Sequence, residues 1–130
     1  MDKTKLREEA KLYFVPFLLG NNSESHKLAK KIYRKYKIVC YILDGKKKIT
    51  DLLDLSSRTL ILPQTKKDAI TVTQLIYLAE QTAYTLPLLI PCTTEYSELV
   101  EKNREILESS FIVLSSDLIL TDSPFNVIPS

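Results

Sequence analysis

The chain has 130 residues with 45% hydrophobic and 26% charged side chains, which predicts one ordinary globular domain large enough for a real core. No apolar run reaches the ~20 residues of a membrane span, and the charged start Met1-Asp2-Lys3-Thr4-Lys5 is no signal peptide, so a cytoplasmic protein without membrane contact is expected. The net charge of +2 hides an asymmetry: residues 1–67 carry 16 Lys+Arg against 7 Asp+Glu, and residues 68–130 carry 2 against 9. A basic half can attract phosphates or nucleic acid. Here the lysines fall on a helix exterior and in Lys46-Lys47-Lys48 without interleaved exposed aromatics, so a solvated face is read rather than a nucleic-acid surface.

Residues 1–11 form a charged segment with a helix expected from Thr4 through Lys11. The domain proper is placed at 12–120. Its first strand lies in Leu12 to Leu19, with Phe14–Leu19 almost continuously apolar, as in a strand covered on both faces. Pro16 lacks a donor and belongs near the strand start or where one ladder bond is absent. Gly20 permits a sharp reversal, and Asn22 or Ser23 caps the helix that follows to about Lys37. Leu28, Ala29, Ile32, Tyr33 and Tyr36 make its apolar stripe. Lys27, Lys30, Lys31, Arg34 and Lys35 fill the solvated side.

The second strand is Ile38–Leu43, ended by the turn signal Asp44-Gly45. A short helical turn around Leu52, Leu53 and Leu55 is expected within Ile49–Leu55. Thr59–Leu62 is a short third strand closed by Pro63. Asp68 caps a long helix with Val72, Leu75, Ile76, Ala79 and Ala83 on its buried side. The fourth strand is Leu86–Ile90. Thr94 then caps a helix carrying Tyr96, Leu99, Val100, Asn103, Ile106 and Leu107, with Glu95 and Glu98 near its positive end. Phe111–Leu114 is the fifth strand, extended through Leu118–Leu120, and 121–130 is an irregular tail. Cys40 and Cys92 sit in apolar runs and are read as buried free thiols.

Alternating strands and helices predict a three-layer α/β, Rossmann-like domain with a mainly parallel five-stranded sheet in the order 3-2-1-4-5. In such sheets ligands bind outside the carboxyl ends of the strands, where the winding reverses between strands one and four. That edge is built from Gly20, Asn21, Asn22 and Ser23 together with Cys92, Thr93 and Thr94. Gly20, Asn21, Asn22, Ser23, Thr93 and Thr94 are therefore the candidate substrate-binding residues. The turn is neither G-x-G-x-x-G nor a P-loop, because Asn22 and Ser25 occupy the later glycine positions and no G-K-[ST] follows. An ordinary capped helix is the competing reading.

His26 is the single histidine, which excludes a His cluster as a metal site. It is read as a partly exposed helix residue rather than a general base. Asp44 stands where dinucleotide folds keep a ribose-binding acid, but the glycine fingerprint is missing. Glu98, Glu101, Glu105 and Glu108 read as a solvated face. No catalytic residue and no metal ligand is assigned.

The runs Phe14-Val15-Pro16-Phe17-Leu18-Leu19-Gly20 and Leu28-Ala29-Lys30-Lys31-Ile32-Tyr33-Arg34-Lys35-Tyr36-Lys37-Ile38 resemble the opening of ATP-grasp carboxylate–amine ligases. Lys37 departs from the pattern, standing where that family often has glycine. The resemblance implies a Rossmann-like domain preceding the nucleotide-binding domains. It would line the substrate side of the cleft for a small carboxylate or amino acid and would not be catalytic alone. It implies no cofactor in this chain; ATP and Mg²⁺ belong to a downstream ATP-grasp domain, the partner in cis of a truncated chain. A stand-alone flavodoxin-like small-ligand or nucleotide-binding module and a non-catalytic interaction domain are the alternatives.

Overall fold

The computed structural model describes residues 14–46, 51, 53–62, 67–82 and 85–115. The helix expected over Thr4–Lys11, the strand extension at Leu118–Leu120, Pro63, Ala83 and the tail lie outside them. Along the chain run β1 (Phe14–Leu19), α1 (Ser23–Tyr36), β2 (Cys40–Asp44), β3 (Ser57–Ile61), α2 (Asp68–Glu80), β4 (Leu86–Pro91), α3 (Thr94–Lys102), α4 (Arg104–Glu108) and β5 (Ile112–Val113). All five strands are parallel, in the expected order β3-β2-β1-β4-β5.

β1 is central, paired with β2 through Leu18 and Ile42 and with β4 through Leu18 and Ile90. The register with β2 begins at Phe17, so Pro16 sits where β1 pairs with β4 alone. Successive side chains of β1 enter opposite cores. Phe14 and Leu18 join Ile42, Leu88 and Ile90 against Leu28, Ala29 and Ile32 of α1. Phe17 and Leu19 join Leu43 and Leu89 against Val72, Leu75 and Ala79 of α2, Val100 of α3 and Leu107 of α4. Covering both faces makes the three layers. Among the described residues no helix is long and apolar enough to cross a membrane.

Several boundaries differ from expectation for identifiable reasons. β2 and β3 start two residues later and earlier than the apolar runs suggest, because Cys40 pairs with Ser57. Asp68 is not the cap of α2: Lys67 holds that position without a side-chain bond, and Asp68 opens the first turn, where its charge suits the helix dipole. Thr93, not Thr94, caps α3, its hydroxyl accepting from the Tyr96 N–H at 3.1 Å. The helix expected to run on through Leu107 breaks at Asn103, whose side-chain amide donates to the Leu99 carbonyl at 2.8 Å and competes with the helical ladder. In the β2–β3 connection Asp51 is buried while Leu53 and Leu55 are exposed, so those two leucines do not anchor that turn; Leu52 lies outside the described residues. Cys40 is buried, Cys92 half-buried, and both are free.

Leu18 is completely buried between the two paired neighbours of β1. Leu18→Ala is expected to lower unfolding stability by about 2–5 kcal/mol in urea titration. A loss under about 1 kcal/mol would mean that the side chain is not held in a tight core.

Candidate functional site

The pairing of β1, β3 and β4 continues past their carboxyl ends as backbone bonds from the residue that follows each strand. The Gly20 N–H donates to Leu43 O, the Cys92 N–H to Leu19 O and the Leu62 N–H to Asp44 O, each at 2.8 Å. These bonds bring the β1–α1 and β4–α3 turns together at the point where the winding reverses. Gly20 has φ +113°, and a Cβ there would lie 2.6 Å from Thr93 Cγ2. A side chain at position 20 would thus meet both backbone strain and a clash.

Asn22 ties the two turns. Its Oδ1 accepts from the Ser25 N–H at 2.8 Å, the Ser25 hydroxyl accepts from the Asn22 N–H at 3.1 Å, and Asn22 Nδ2 donates to Cys92 O at 3.1 Å. This capping box satisfies the third N–H of α1, as the Thr93 hydroxyl does for α3. The N–H groups of the two residues ahead of it in each helix, Ser23 and Glu24 in α1 and Thr94 and Glu95 in α3, are left without intrahelical acceptors.

Between the two helix starts opens a cleft of 690 Å³, lined by Asn22, Glu24, Lys27, Leu28, Lys31, Pro91, Cys92, Thr93, Thr94 and Ser97. Of the six residues singled out in the sequence, Asn22, Thr93 and Thr94 line it. Gly20 is buried beneath Thr93, Ser23 lies on the exposed shoulder, and Asn21 turns to the other side. Lys27 and Lys31, one turn apart on α1, complete the lining as two cations, with Glu24 3.8 Å from Lys27. Both lysines are exposed, as the periodicity of α1 predicts; their adjacency to the fourth strand's turn needs the parallel pairing of β1 with β4. Burial, seconded by Glu24, pushes the Cys92 thiol up to about 11, so it remains a thiol at neutral pH.

Asn21 belongs to a second polar constellation behind the same turn. Its N–H donates to Asp44 Oδ2 and its Nδ2 to Asp51 Oδ2, both at 2.7 Å. His26 lies between two carboxylates: Nδ1 is 2.6 Å from Asp54 Oδ2, and Nε2 is 3.0 Å from Asp51 Oδ1 and 2.9 Å from Asn21 Oδ1. The partial exposure expected of His26 holds, at 21% of its side chain, while Asp51 and Asp54 retain only 1% and 8%. Burial works to raise the Asp54 carboxyl, but bonds from the Ser56 hydroxyl, His26, the Ser56 N–H and the Ser57 hydroxyl outweigh it and hold the group well below the usual carboxylate range. Asp44, besides serving Asn21, accepts from Gly45 N–H at 2.7 Å and from the Tyr96 hydroxyl at 3.2 Å. Burial first, then Asp44, pushes that tyrosine up to about 12. Asp44 is therefore occupied in joining β2, the first turn and α3.

Among the described residues no group of three or more His, Cys, Asp and Glu side chains is arranged to hold a metal ion. Of the expected glutamate face, Glu101 and Glu108 pair with Arg104 at 3.0 Å on the surface. No protein-family model, curated protein or solved structure matches the chain.

Two consequences are measurable. Gly20→Ala should destabilise by about 2–4 kcal/mol, combining positive-φ strain with the contact to Thr93. Made in a Thr93→Ser background, which keeps the capping hydroxyl and removes Cγ2, the same change should cost only the backbone share of about 1–2 kcal/mol; equal costs in both backgrounds would refute the steric account. For Asp54, whose folded carboxyl is depressed, the stabilisation is fully present above the unfolded value and lost as pH falls. The stability gap between wild type and Asp54→Asn should thus stay constant down to about pH 5 and close only below about pH 4. A gap already closing near neutrality would contradict the depressed carboxyl.

Proposed function

We propose that this domain binds a small anionic ligand, a carboxylate or amino acid, in the cleft between the first turns of α1 and α3. We further propose that it serves as the substrate-side domain of a carboxylate–amine ligase of ATP-grasp type, with ATP and Mg²⁺ handled by a downstream domain and ligation not carried out by residues 1–130 alone. The observation that carries the reading is the convergence of two helix N-termini and two lysines on one cleft at the switch point of a parallel sheet. Each helix start offers N–H groups beyond its cap and the positive end of a dipole. Lys27 and Lys31 add two positive charges against the one negative charge of Glu24. Leu28 and Pro91 supply apolar floor for an aliphatic body. A cleft of this volume suits a small molecule, and its open side leaves room for a second wall.

The resemblance of Phe14–Gly20 and Leu28–Ile38 to the opening of ATP-grasp ligases supplies the ligase context. Lys37, the departure from that pattern, closes α1 at φ 59°, the left-handed conformation that glycine adopts without strain. The position thus asks for the backbone geometry that the family's glycine would provide.

The test is a titration of the domain with amino acids, small carboxylates, ATP and a flavin nucleotide, followed by backbone amide shifts. Weak saturable binding of a carboxylate or amino acid, with Kd of about 1 mM or above, is expected, with shifts at Ser23, Glu24, Cys92, Thr93 and Thr94. Lys31→Ala should weaken it several-fold. Micromolar binding of a nucleotide would favour the stand-alone flavodoxin-like module. Shifts confined to Lys30, Arg34 and Lys35, or binding indifferent to Lys31→Ala and Thr94→Ala, would overturn the cleft assignment.

A further inference from the structure

The charge asymmetry of the chain takes a definite shape in the fold. α1 packs into the core on one face of the sheet, and α3 and α4 pack into the core on the other. The sheet therefore separates two charged layers. α1 and its cap carry Lys27, Lys30, Lys31, Arg34, Lys35 and Lys37 against Glu24 alone, and all of these are exposed. From Thr94 to Glu108 the opposite layer carries five glutamates against Lys102 and Arg104. Glu24 lies 3.8 Å from Lys27, whereas Lys30, Lys31 and Arg34 make no ion pair among the described residues. Helix geometry sets the spacing. From Lys27 to Lys35 the axis rises about 12 Å, and at about 100° per residue the five cations of that stretch share an arc of about 140°. One charge per roughly 3 Å of axis is close to the ~3.4 Å per phosphate along one strand of a duplex.

We propose that the exterior of α1 is a docking surface for double-stranded nucleic acid, which it holds by the phosphate backbone through Lys30, Lys31 and Arg34 without reading the base sequence. The inference does not rest on the ligand reading, since Lys30 and Arg34 do not line the cleft. The chemistry of the surface chooses this partner. A protein or a lipid surface takes an apolar anchor, and apart from Tyr33 every exposed residue of α1 is polar or charged. A single strand takes open aromatic faces on which bases stack. Tyr33 is only 36% exposed, and Lys37 Nζ stands 5.3 Å from its ring centre. A duplex asks for a row of cations at backbone spacing. The acidic layer fixes the orientation: it repels the same polyanion, so the domain meets a duplex with α1 and turns α3 and α4 away. In the free domain these cations are solvated. On binding they displace counter-ions condensed on the phosphates, and that release supplies the affinity.

The test is fluorescence anisotropy of the full chain with a labelled mixed-sequence DNA duplex of about 12 base pairs, in KCl from about 50 to about 200 mM. Three phosphate contacts give a slope of log K against log salt of about −2.7, so affinity should fall roughly fortyfold over that range. Changing the base sequence of the duplex should alter affinity by less than about twofold. Lys30→Glu with Arg34→Glu should weaken binding at least about tenfold and bring the slope to about −1. If that chain does not fold, Lys30→Gln with Arg34→Gln carries the comparison, again with a slope of about −1. Lys102→Gln, in the opposite layer, should leave binding within about twofold of wild type. No binding at the lowest salt, a slope indifferent to the double variant, or an equal loss from Lys102→Gln would overturn the proposal. So would equal or tighter binding of a single strand, of polyglutamate or of anionic phospholipid vesicles, each of which points to a different partner.

Discussion

The structure depends on β1 being held on both sides. A central parallel strand must satisfy its backbone through two neighbours and bury both rows of its side chains. Phe14 to Leu19 meets both demands, and its register with β4 over six residues sets where everything after Leu19 can go. Because Leu19 pairs with Pro91 and with Leu43, the chain leaves three adjacent strands at one level. The turns that follow have no room to diverge. Gly20 is the residue that lets the first of them pass beneath Thr93, and the missing Cβ is a consequence of that register rather than of a phosphate.

Once the turn is placed, two adjacent asparagines divide its surfaces. Asn22 faces the β4–α3 turn and spends its side chain on the cap of α1 and on Cys92 O. Asn21 faces the β2–β3 connection and spends its own on Asp51 and His26. One side becomes an open cleft whose lining offers backbone N–H groups, the hydroxyls of Thr94 and Ser97, and two lysines. The other becomes a closed network in which donors and acceptors find one another at 2.6–3.0 Å. The network behind the turn holds a short glycine–asparagine loop, and with it the N–H groups at the start of α1, in place without the several glycines of a dinucleotide site.

The sheet order, the central strand and the stripe of α1 were readable from the sequence because each rests on local periodicity longer than a turn. Leu28, Ala29, Ile32 and Tyr36 are buried as the stripe requires, and Tyr33, at its edge, is partly exposed beneath Lys37. The errors arise where a side chain competes with the backbone or where partners are far apart in sequence. Asn103 looked like one more residue of a helical face, yet its amide is the agent that ends α3. Thr93 and Thr94 are equally good caps in isolation, and only the backbone path out of β4 chooses the first. His26 was judged by its neighbours on its own helix, whereas its true neighbours lie 25 and 28 residues on. A faint signal existed: Asp54 two and three residues before Ser56 and Ser57 is the pattern of a side chain folding onto its own backbone. Nothing in such a pattern reveals that a helix will deliver an imidazole onto it.

The charge asymmetry resolves along the same lines. Composition presents a basic half, but a helix distributes its charges around its axis. Lys30, Arg34 and Lys35 point to solvent, away from the cleft, while Lys27 and Lys31 are four apart and fall on the edge that the β4–α3 turn approaches. An exposed lysine is a flexible point charge that confers attraction without much geometry. The two helix starts beside it supply fixed N–H groups, and these set direction. Attraction from the lysines and orientation from the backbone are separable contributions, and both line one cleft. On α1 the basic residues thus divide between two surfaces, a solvated face of Lys30, Arg34 and Lys35 and a cleft edge of Lys27 and Lys31.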